Sequence, residues 1–381
     1  MGKLDGVRRL KAEIRRQSRN DRAIARALFR RAARLHFRDG FTVTELIENG
    51  LLNPALGPDD LKLYASRRQY VRLIDRTVPK GYYCLTADQS ITLAQCRMAG
   101  IPTPNLVAIY DEPQGYAPGG PTIAAREDWI RHFDRTLPAH FFVKPAIGML
   151  GRGAAAFERA GDRILFGPGT PGTDDAGKAL TIAEFHDWLA ARAAELYRDP
   201  GSFDPYLKLT RPTRKILIEE RLFAHPDLAA FTGSRNLSCV RAITFVDEKM
   251  NVRIISTSMK VIASDSITDN FHKGKSGNFW TQIDRESGHF ITAFGPIGPQ
   301  GDYTRITHHP RSGMAFRDFR IPHWEATLKL AMDAALAFMP HPSVGWDIGI
   351  TDEGPVIVEG NTRWTILPVS FAEPVPEARQ N

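Results

Sequence analysis

The sequence predicts an α+β fold that follows a basic helical N-terminal region. Short apolar segments separated by turn residues predict paired strands at 154–157 with 163–166, at 236–246 with 252–261, and at 346–351 with 355–360. Residues 1–38 instead place Leu and Ile at near-helical spacing among Lys and Arg. Paired strands that follow helices are typical of an α+β protein.

The N-terminal segment 1–38 is strongly basic. Its thirteen Lys and Arg outnumber its three Asp and Glu, a net +10, although the whole chain carries only +7. One or two amphipathic helices are predicted by Leu10, Ile14, Ile24, Leu28 and Leu35. Such a segment suits RNA, an anionic membrane or an acidic partner, or it is a solvated face packed on the catalytic body. We favour the packed face and expect no nucleic-acid partner, because no aromatic-rich nucleic-acid module accompanies the segment.

A lysine and three glycines follow the predicted strand 141–143. Lys144 precedes Gly148, Gly151 and Gly153, and another strand begins at residue 154. Backbone N–H groups of a glycine-rich loop approach phosphate oxygens without Cβ clashes, and a neighbouring Lys adds a point charge. The two commonest nucleotide motifs need a helix after the loop, so the sequence predicts a phosphate site of another type.

The segment GWDIGITDEGPVIVEGNTRW predicts a hairpin. If Asp352-Glu353-Gly354 form the loop, Thr351 faces Pro355 and Asp347 faces Glu359. Because side chains alternate along strands, Asn361 and Arg363 share the face of Glu359. The opposite apolar face would consist of Ile348, Ile350, Val356 and Val358.

Facing carboxylates repel unless a cation lies between them. Asp347 and Glu359 are such a pair, and the amide oxygen of Asn361 completes an oxygen set suited to Mg²⁺. The sequence therefore predicts a metal site at these three residues.

Several motifs in this order resemble the ATP-grasp superfamily: AGIPTP, the VKP strand, the glycine loop, ILIEERL and the Asp…Glu-x-Asn ending. The resemblance covers residues 100–367 and is closest to glutamate-ligase-like and sugar-transfer-associated members. It implies two α+β lobes that clasp ATP, with Mg²⁺ as the second cofactor. It implies nucleotide-binding roles for Lys144, Gly148, Gly151, Arg152, Gly153, Glu219, Glu220, Leu222 and Asp227.

Three further basic residues are candidates for catalysis. Arg241 lies among apolar neighbours, so either a ligand or an internal ion pair must compensate its charge. Lys260 is similar in position to a family lysine that reaches the nucleotide. Arg241 and Arg363 suit a transferring phosphoryl group or an oxyanion, since guanidinium groups bind both.

One departure from the family concerns a second nucleotide-binding Lys that relatives carry shortly before the AGIPTP motif. This chain offers Ile91, Thr92 and Leu93 in that region. Either Arg97 or Arg152 substitutes for the lysine, or the affinity for phosphate is lower.

The resemblance implies an ATP-dependent carboxylate–amine ligase that works through an acylphosphate and releases ADP and phosphate. Its partners would be small-molecule carboxylate and amine substrates, and a homo-oligomer is possible. Two alternatives remain: an ATP-grasp phosphotransferase, or a degenerate nucleotide-binding scaffold that recruits a partner through its basic arm.

Four regions are predicted along the chain: a basic helical region at 1–80, a small α/β lobe at 81–140, the small ATP-grasp lobe at 141–222 and the large lobe at 223–381. The chain lacks an apolar run long enough to span a membrane. Cys84, Cys96 and Cys239 have neither disulfide nor zinc spacing, which favours a reducing, cytoplasmic location. The polar loop 265–279 is either a surface loop or a substrate lid.

Overall fold

The computed structural model describes residues 3–62, 64–148, 151–167, 179–198, 213–271, 275–298 and 303–364. The α-helices are α1 Lys3–Ser18, α2 Arg22–Phe37, α3 Val43–Glu48, α4 Pro58–Lys62, α5 Arg67–Thr77, α6 Cys84–Ala87, α7 Gln89–Met98, α8 Arg126–Thr136, α9 Ile182–Arg198, α10 Pro226–Thr232 and α11 Trp324–Ala337. The strands are β1 Leu106–Tyr110, β2 Gly115–Tyr116, β3 Thr122–Ile123, β4 His140–Pro145, β5 Ala155–Ala160, β6 Arg163–Phe166, β7 Ala179–Thr181, β8 Ile216–Glu220, β9 Cys239–Val246, β10 Val252–Val261, β11 Phe279–Ile283, β12 Phe290–Ile297, β13 Tyr303–Ile306, β14 Ser343–Thr351 and β15 Gly354–Asn361.

The described strands form two antiparallel sheets, which confirms the α+β prediction. The first has the order β3-β2-β1-β8-β4-β5-β6-β7, and the second has the order β13-β12-β11-β10-β9-β14-β15. The predicted pairings of β5 with β6 and of β9 with β10 are both present. Because β1 pairs with β8, residues 106–110 and 216–220 belong to one sheet, and the boundary predicted at residue 140 does not separate two sheets.

Each sheet has its own apolar core. Helices α8 and α9 cover the first sheet, where Phe133 and Phe185 pack with Phe141 and Phe157. Helix α11 covers one face of the second sheet. Burial of each large apolar side chain contributes about 1.5–3 kcal/mol, so the cores hold the two strand systems as rigid supports for the residues between them.

The N-terminal helices form a further cluster of their own. The buried apolar residues of α1, α2 and α3 pack with those of the segments on either side of α3: Ile14, Leu28, Leu35, Phe41, Leu46 and Leu51. This arrangement confirms the predicted amphipathic helices, except that Ile24 is 37% exposed. Helix α5 instead packs on the second sheet, where Tyr70 and Ile74 lie in one cluster with Ile243 and Trp364. No helix within the described ranges is long and apolar enough to cross a bilayer.

The β14–β15 hairpin keeps the predicted pair through a different loop. Thr351 faces Gly354 rather than Pro355, so the predicted three-residue loop is wrong, but a bulge shifts the register and places Asp347 opposite Glu359. The bulge adds one residue to β15, which interrupts the alternation of side chains. Ile357 is therefore the buried apolar side chain of β15, while Val356 and Val358 are only half-buried.

Candidate functional site

Both sheets line one cavity of about 380 Å³. The first sheet contributes residues of β4 and β8, and the second contributes residues of β9, β10, β11, β14 and β15. Most of the sequence-predicted site residues lie on its wall: Lys144, Gly148, Gly151, Arg152, Glu219, Glu220, Leu222, Arg241, Lys260, Asp347, Glu359, Asn361 and Arg363.

Asp347 is the centre of a buried ion-pair network. Arg241 lies opposite it on β9 and donates from Nη2 to Oδ2 at 2.7 Å. Lys260 Nζ lies 3.4 Å from the same oxygen and 2.9 Å from Oδ1 of Asp269. Asp269 also accepts the backbone N–H of Cys239 at 2.9 Å. Of the two alternatives that the sequence left open for Arg241, the structure shows the internal ion pair.

The two facing carboxylates differ electrostatically. Burial favours the neutral form of Asp347, but the charges of Arg241 and Lys260 outweigh it and lower the pKa of this carboxyl to about 2. Burial raises the pKa of Glu359, and the negative charge of Asp347 raises it further. For Arg241 and Lys260, burial lowers the pKa but the neighbouring carboxylates outweigh it, so both pKa values are raised and both side chains remain charged.

The three predicted metal ligands all line the cavity. Within the described part of the chain, the carboxylate of Glu359 has no ion pair or hydrogen bond. Asn361 donates from Nδ2 to the carbonyl oxygen of Gly345 at 3.4 Å, which leaves its Oδ1 as an acceptor. With Asp347, these residues make a set of hard oxygen donors of the type that Mg²⁺ prefers.

Lys144 of β4 and residues of β8 line the cavity on the side of the first sheet. Lys144 Nζ is 2.9 Å from Oε2 of Glu219, and both side chains are largely buried. Glu220 accepts from Nδ2 of Asn105 at 2.8 Å. Gly153 does not line this cavity; it packs against Pro145, where a Cβ would come within 3.1 Å of the ring.

The glycine loop meets the polar loop 265–271 of the second sheet. Gly151 has a φ of +67°, and an added Cβ would lie 2.8 Å from Asn270 Nδ2 and 2.9 Å from Thr268 Cγ2. Ile267 and Phe271 of the polar loop are buried and line the cavity. The described part of the loop therefore covers the cavity; residues 272–274 lie outside the described ranges.

Two candidates for nucleotide contact lie away from the cavity wall. The side chain of Asp227, in the first turn of α10, is 75% exposed and lies 3.8 Å from His225. Arg97 is exposed near the end of α7. Arg363 lines the cavity and donates to Asp75 of α5 at 3.4 Å, so the N-terminal region reaches the edge of the site.

Sequence reasoning missed Gln89 and Trp280. Both are buried, both line the cavity, and Gln89 Oε1 and Trp280 Nε1 are among the buried atoms of the described residues that lack a hydrogen-bond partner. Glu219 Oε1 is a third such atom. Unpaired buried polar atoms are costly unless a ligand or water satisfies them, so the three indicate a polar ligand. Gln89 opens α7 and precedes the stretch in which the family lysine was sought.

A family model decides the relationship to known proteins. The model of the sugar-transfer associated ATP-grasp family matches residues 67–374. The chain belongs to this family. It accordingly has the ATP-grasp fold, and its cavity lies between two α+β parts. The first helices, up to residue 66, lie outside the match.

Several solved structures are similar to this chain in shape but share little of its sequence. They include biotin carboxylase from Campylobacter jejuni, with 12% identity, a TM-score of 0.39 and coverage of 74% of this chain and 42% of that one. D-alanyl-alanine synthetase A from Vibrio cholerae has 10% identity, a TM-score of 0.39 and coverage of 77% and 60%. L-amino acid ligase from Bacillus licheniformis has 11% identity, a TM-score of 0.39 and coverage of 79% and 49%.

This ATP-grasp chain thus spans between 42% and 60% of the length of those three proteins. No curated protein matches its sequence.

Proposed function

We propose that the protein is an ATP-dependent ligase that joins a small carboxylate to an amine and releases ADP and phosphate. One observation carries the proposal: a single cavity is lined by Lys144 and the glycine loop from one sheet, and by the Asp347–Glu359 pair and Asn361 from the other. Membership of the ATP-grasp family supports the same assignment. The chemistry of the wall suits a ligand with phosphates, a metal ion and apolar groups.

The donor set fits ATP and Mg²⁺. Asp347, Glu359 and Asn361 would hold Mg²⁺, which when bound would neutralise charge on the phosphates. Lys144 and the backbone N–H groups of the loop around Gly151 would contact phosphate oxygens. Glu219, Glu220 and Leu222 would line the base, and the unpartnered Oε1 of Glu219 would accept a ligand N–H or O–H group.

Arg241 and Lys260 are positioned before any ligand enters. Asp347 and Asp269 hold their charged ends at fixed places in a buried wall. Fixed cations in a desolvated site stabilise developing negative charge without reorganisation. In this role they would act on the transferring phosphoryl group and on the oxyanion of the second step, and Arg363 would assist from the edge of the cavity.

The reaction needs no nucleophilic side chain. A substrate carboxylate oxygen attacks the γ-phosphorus of ATP, and ADP leaves with the electrons of the broken bond. The amine nitrogen then attacks the carbonyl carbon of the acylphosphate, phosphate leaves, and the nitrogen loses a proton as the amide forms. The protein orients the reactants and neutralises charge.

The test is ADP release by the full-length protein with a panel of amino acids and sugar acids, with mass spectrometry of the products. A ligase yields an amide and free phosphate. A stable phosphorylated product without free phosphate would identify a phosphotransferase instead. Binding of a non-hydrolysable ATP analogue, measured by calorimetry, should weaken at least about tenfold in Lys144→Ala, because a buried phosphate contact is lost. Lys215→Ala is the matched control, since Lys215 pairs with Asp88 and does not line the cavity.

The proposal fails if the protein neither binds the analogue nor releases ADP with any member of the panel. Binding of the analogue without ADP release would instead favour the degenerate nucleotide-binding scaffold.

A further inference from the structure

Helix α2 exposes two aromatic side chains: Phe37 lies opposite the buried residues of the helix, and Phe29 lies beside them. Phe29 is 58% exposed and Phe37 is 81% exposed. The buried side of the same helix consists of Leu28, Ala32 and Leu35. An exposed Phe is common by itself, but two on one short helix indicate a surface that another molecule covers.

Arginines surround these aromatic rings. Arg22, Arg26 and Arg30 recur every four residues, and all three are exposed. Successive residues of an α-helix are about 100° apart around its axis. The three arginines and Phe37 therefore lie within an arc of roughly 80°, and Phe29 lies just outside this arc. The stretch 22–37 contains no Asp or Glu, and none of the three arginines forms an ion pair within the described residues. We call this exposed face, with Arg22, Arg26, Phe29, Arg30 and Phe37, the α2 face.

We propose that the α2 face binds the surface of a membrane that contains anionic phospholipids. Guanidinium groups form bidentate hydrogen bonds with phosphates. Transfer of an aromatic ring from water to the membrane interface, directly beneath the headgroups, is favourable. A bilayer presents anionic phosphate above apolar chains across its whole surface. An acidic protein surface matches the arginines but not the rings.

The surroundings of the α2 face support a lipid partner over a nucleic acid. The neighbouring helix α1 also exposes basic residues, Arg8, Lys11 and Arg15, and each Lys or Arg near an anionic leaflet strengthens attachment. Single-stranded nucleic acids are usually bound by aromatic rings on a sheet or in a groove, whereas both rings here project from one convex helix. The attachment is peripheral, since none of the described helices spans a bilayer.

The α2 face lies outside the part of the chain that matches the family. The helices α1 and α2 precede the family match, which begins at residue 67, and they pack in their own apolar cluster. None of the residues of the α2 face lines the cavity. The sequence favoured a packed basic face for the whole segment; α2 packs on one side only, and its other side is the docking surface.

The test measures partition of the full-length protein onto vesicles. Vesicles of phosphatidylglycerol and phosphatidylcholine should bind at least about tenfold more strongly than phosphatidylcholine alone at low salt, and the preference should fall as salt screens the arginines. Phe37→Trp supplies a direct reporter: its difference spectrum against the parent protein should shift to the blue on anionic vesicles as the indole enters the interface.

Substitutions separate the two components of the surface. Arg26→Gln with Arg30→Gln should remove most of the anionic preference, and Phe29→Ser with Phe37→Ser should weaken partition by about tenfold while binding of the ATP analogue is retained. Met98→Ser is the matched control, because Met98 is 82% exposed on α7. Circular dichroism confirms that each variant is folded.

Equal partition of the Phe variant and the parent would overturn the proposal, as would equal binding to neutral and anionic vesicles. Single-stranded RNA that binds more tightly than vesicles, with no loss in the Phe variant, would identify a nucleic-acid surface instead.

Discussion

Asp347 and Glu359 face each other across β14 and β15, but only Asp347 has ion-pair partners among the described residues. Arg241 and Lys260 compensate the charge of Asp347, whereas burial and the neighbouring charge of Asp347 raise the pKa of Glu359. One carboxylate therefore stabilises the fold and the other destabilises it when ionised. Their expected roles in metal binding are the same, so stability and activity can be separated at this pair.

The first prediction contrasts the two carboxylates. Asp347→Asn should lower the free energy of unfolding by about 3–5 kcal/mol, because it leaves the buried Arg241 without a charged partner, while Lys260 keeps only Asp269. Glu359→Gln should leave it unchanged or raise it, since a like-charge contact disappears. Both variants should lose Mg²⁺-dependent ATP turnover by roughly two orders of magnitude. Urea unfolding and ADP release measure the two effects. Wild-type turnover in either variant at saturating Mg²⁺ would contradict the metal assignment.

The second prediction concerns pH and stability. The folded pKa of Asp347 is about 2, below its ordinary value of 3.8, so its contribution is present above about pH 4 and is lost as the pH falls through the folded pKa. The folded pKa of Glu359 is raised above 4.5, so the folded state loses stability as the pH rises through that raised value. Unfolding free energies measured from acid to neutral pH should show Glu359→Gln gaining on the parent as the pH rises. A constant difference across this range would contradict the raised pKa.

The third prediction concerns Gln89. Its Oε1 is a buried acceptor in the cavity wall without a partner in the described structure. Gln89→Ala should weaken binding of the ATP analogue by about tenfold, the value of one buried hydrogen bond. Gln95→Ala is the control on the same helix, since Gln95 donates to the carbonyl of Ala337 outside the cavity. Equal affinities of the two variants would mean that Gln89 does not contact the ligand.

The β14–β15 hairpin shows which structural features a local sequence pattern can predict and which it cannot. The alternation of apolar residues around Asp352 and Glu353 was sufficient to place Asp347 opposite Glu359. The alternation did not reveal that the loop has only two residues. The loop is one residue shorter than predicted and the bulge adds one residue to β15, so the two differences cancel at Asp347 and Glu359. The two arrangements give the same carboxylate pair, but only the bulge explains why Ile357 is buried and Val358 lines the cavity.

Contacts between distant segments were not accessible from the sequence. The pattern showed that Arg241 needs a compensating charge, but its partner lies on a strand that is adjacent only in the folded sheet. Gln89 and Trp280 could not be predicted either, because neither belongs to a recognisable motif. They line the cavity because of the way α7 and β11 pack in the folded protein. Polar residues that face a cavity resemble polar surface residues until their burial is known.

The last prediction concerns the contact between the glycine loop and the loop 265–271. Gly151 combines a left-handed backbone with a close approach to Thr268 and Asn270, whereas Gly161 has a similar φ of +64° with open space around its Cα. An Ala at either position strains the backbone by about 1–2 kcal/mol. Only at Gly151 does the new methyl group also push the two loops apart.

Gly151→Ala should therefore lose somewhat more stability than Gly161→Ala in urea unfolding, and the two variants should differ clearly at the site. Gly151→Ala should weaken binding of the ATP analogue and reduce ADP release by about tenfold or more, because phosphate contacts depend on positions fixed within a fraction of an ångström. Gly161→Ala should retain both. If the two variants bind the analogue equally well, the contact between the loops does not shape the phosphate site. If Gly151→Ala instead loses far more stability than Gly161→Ala, the contact is structural, and the loop covers the cavity without positioning its ligand.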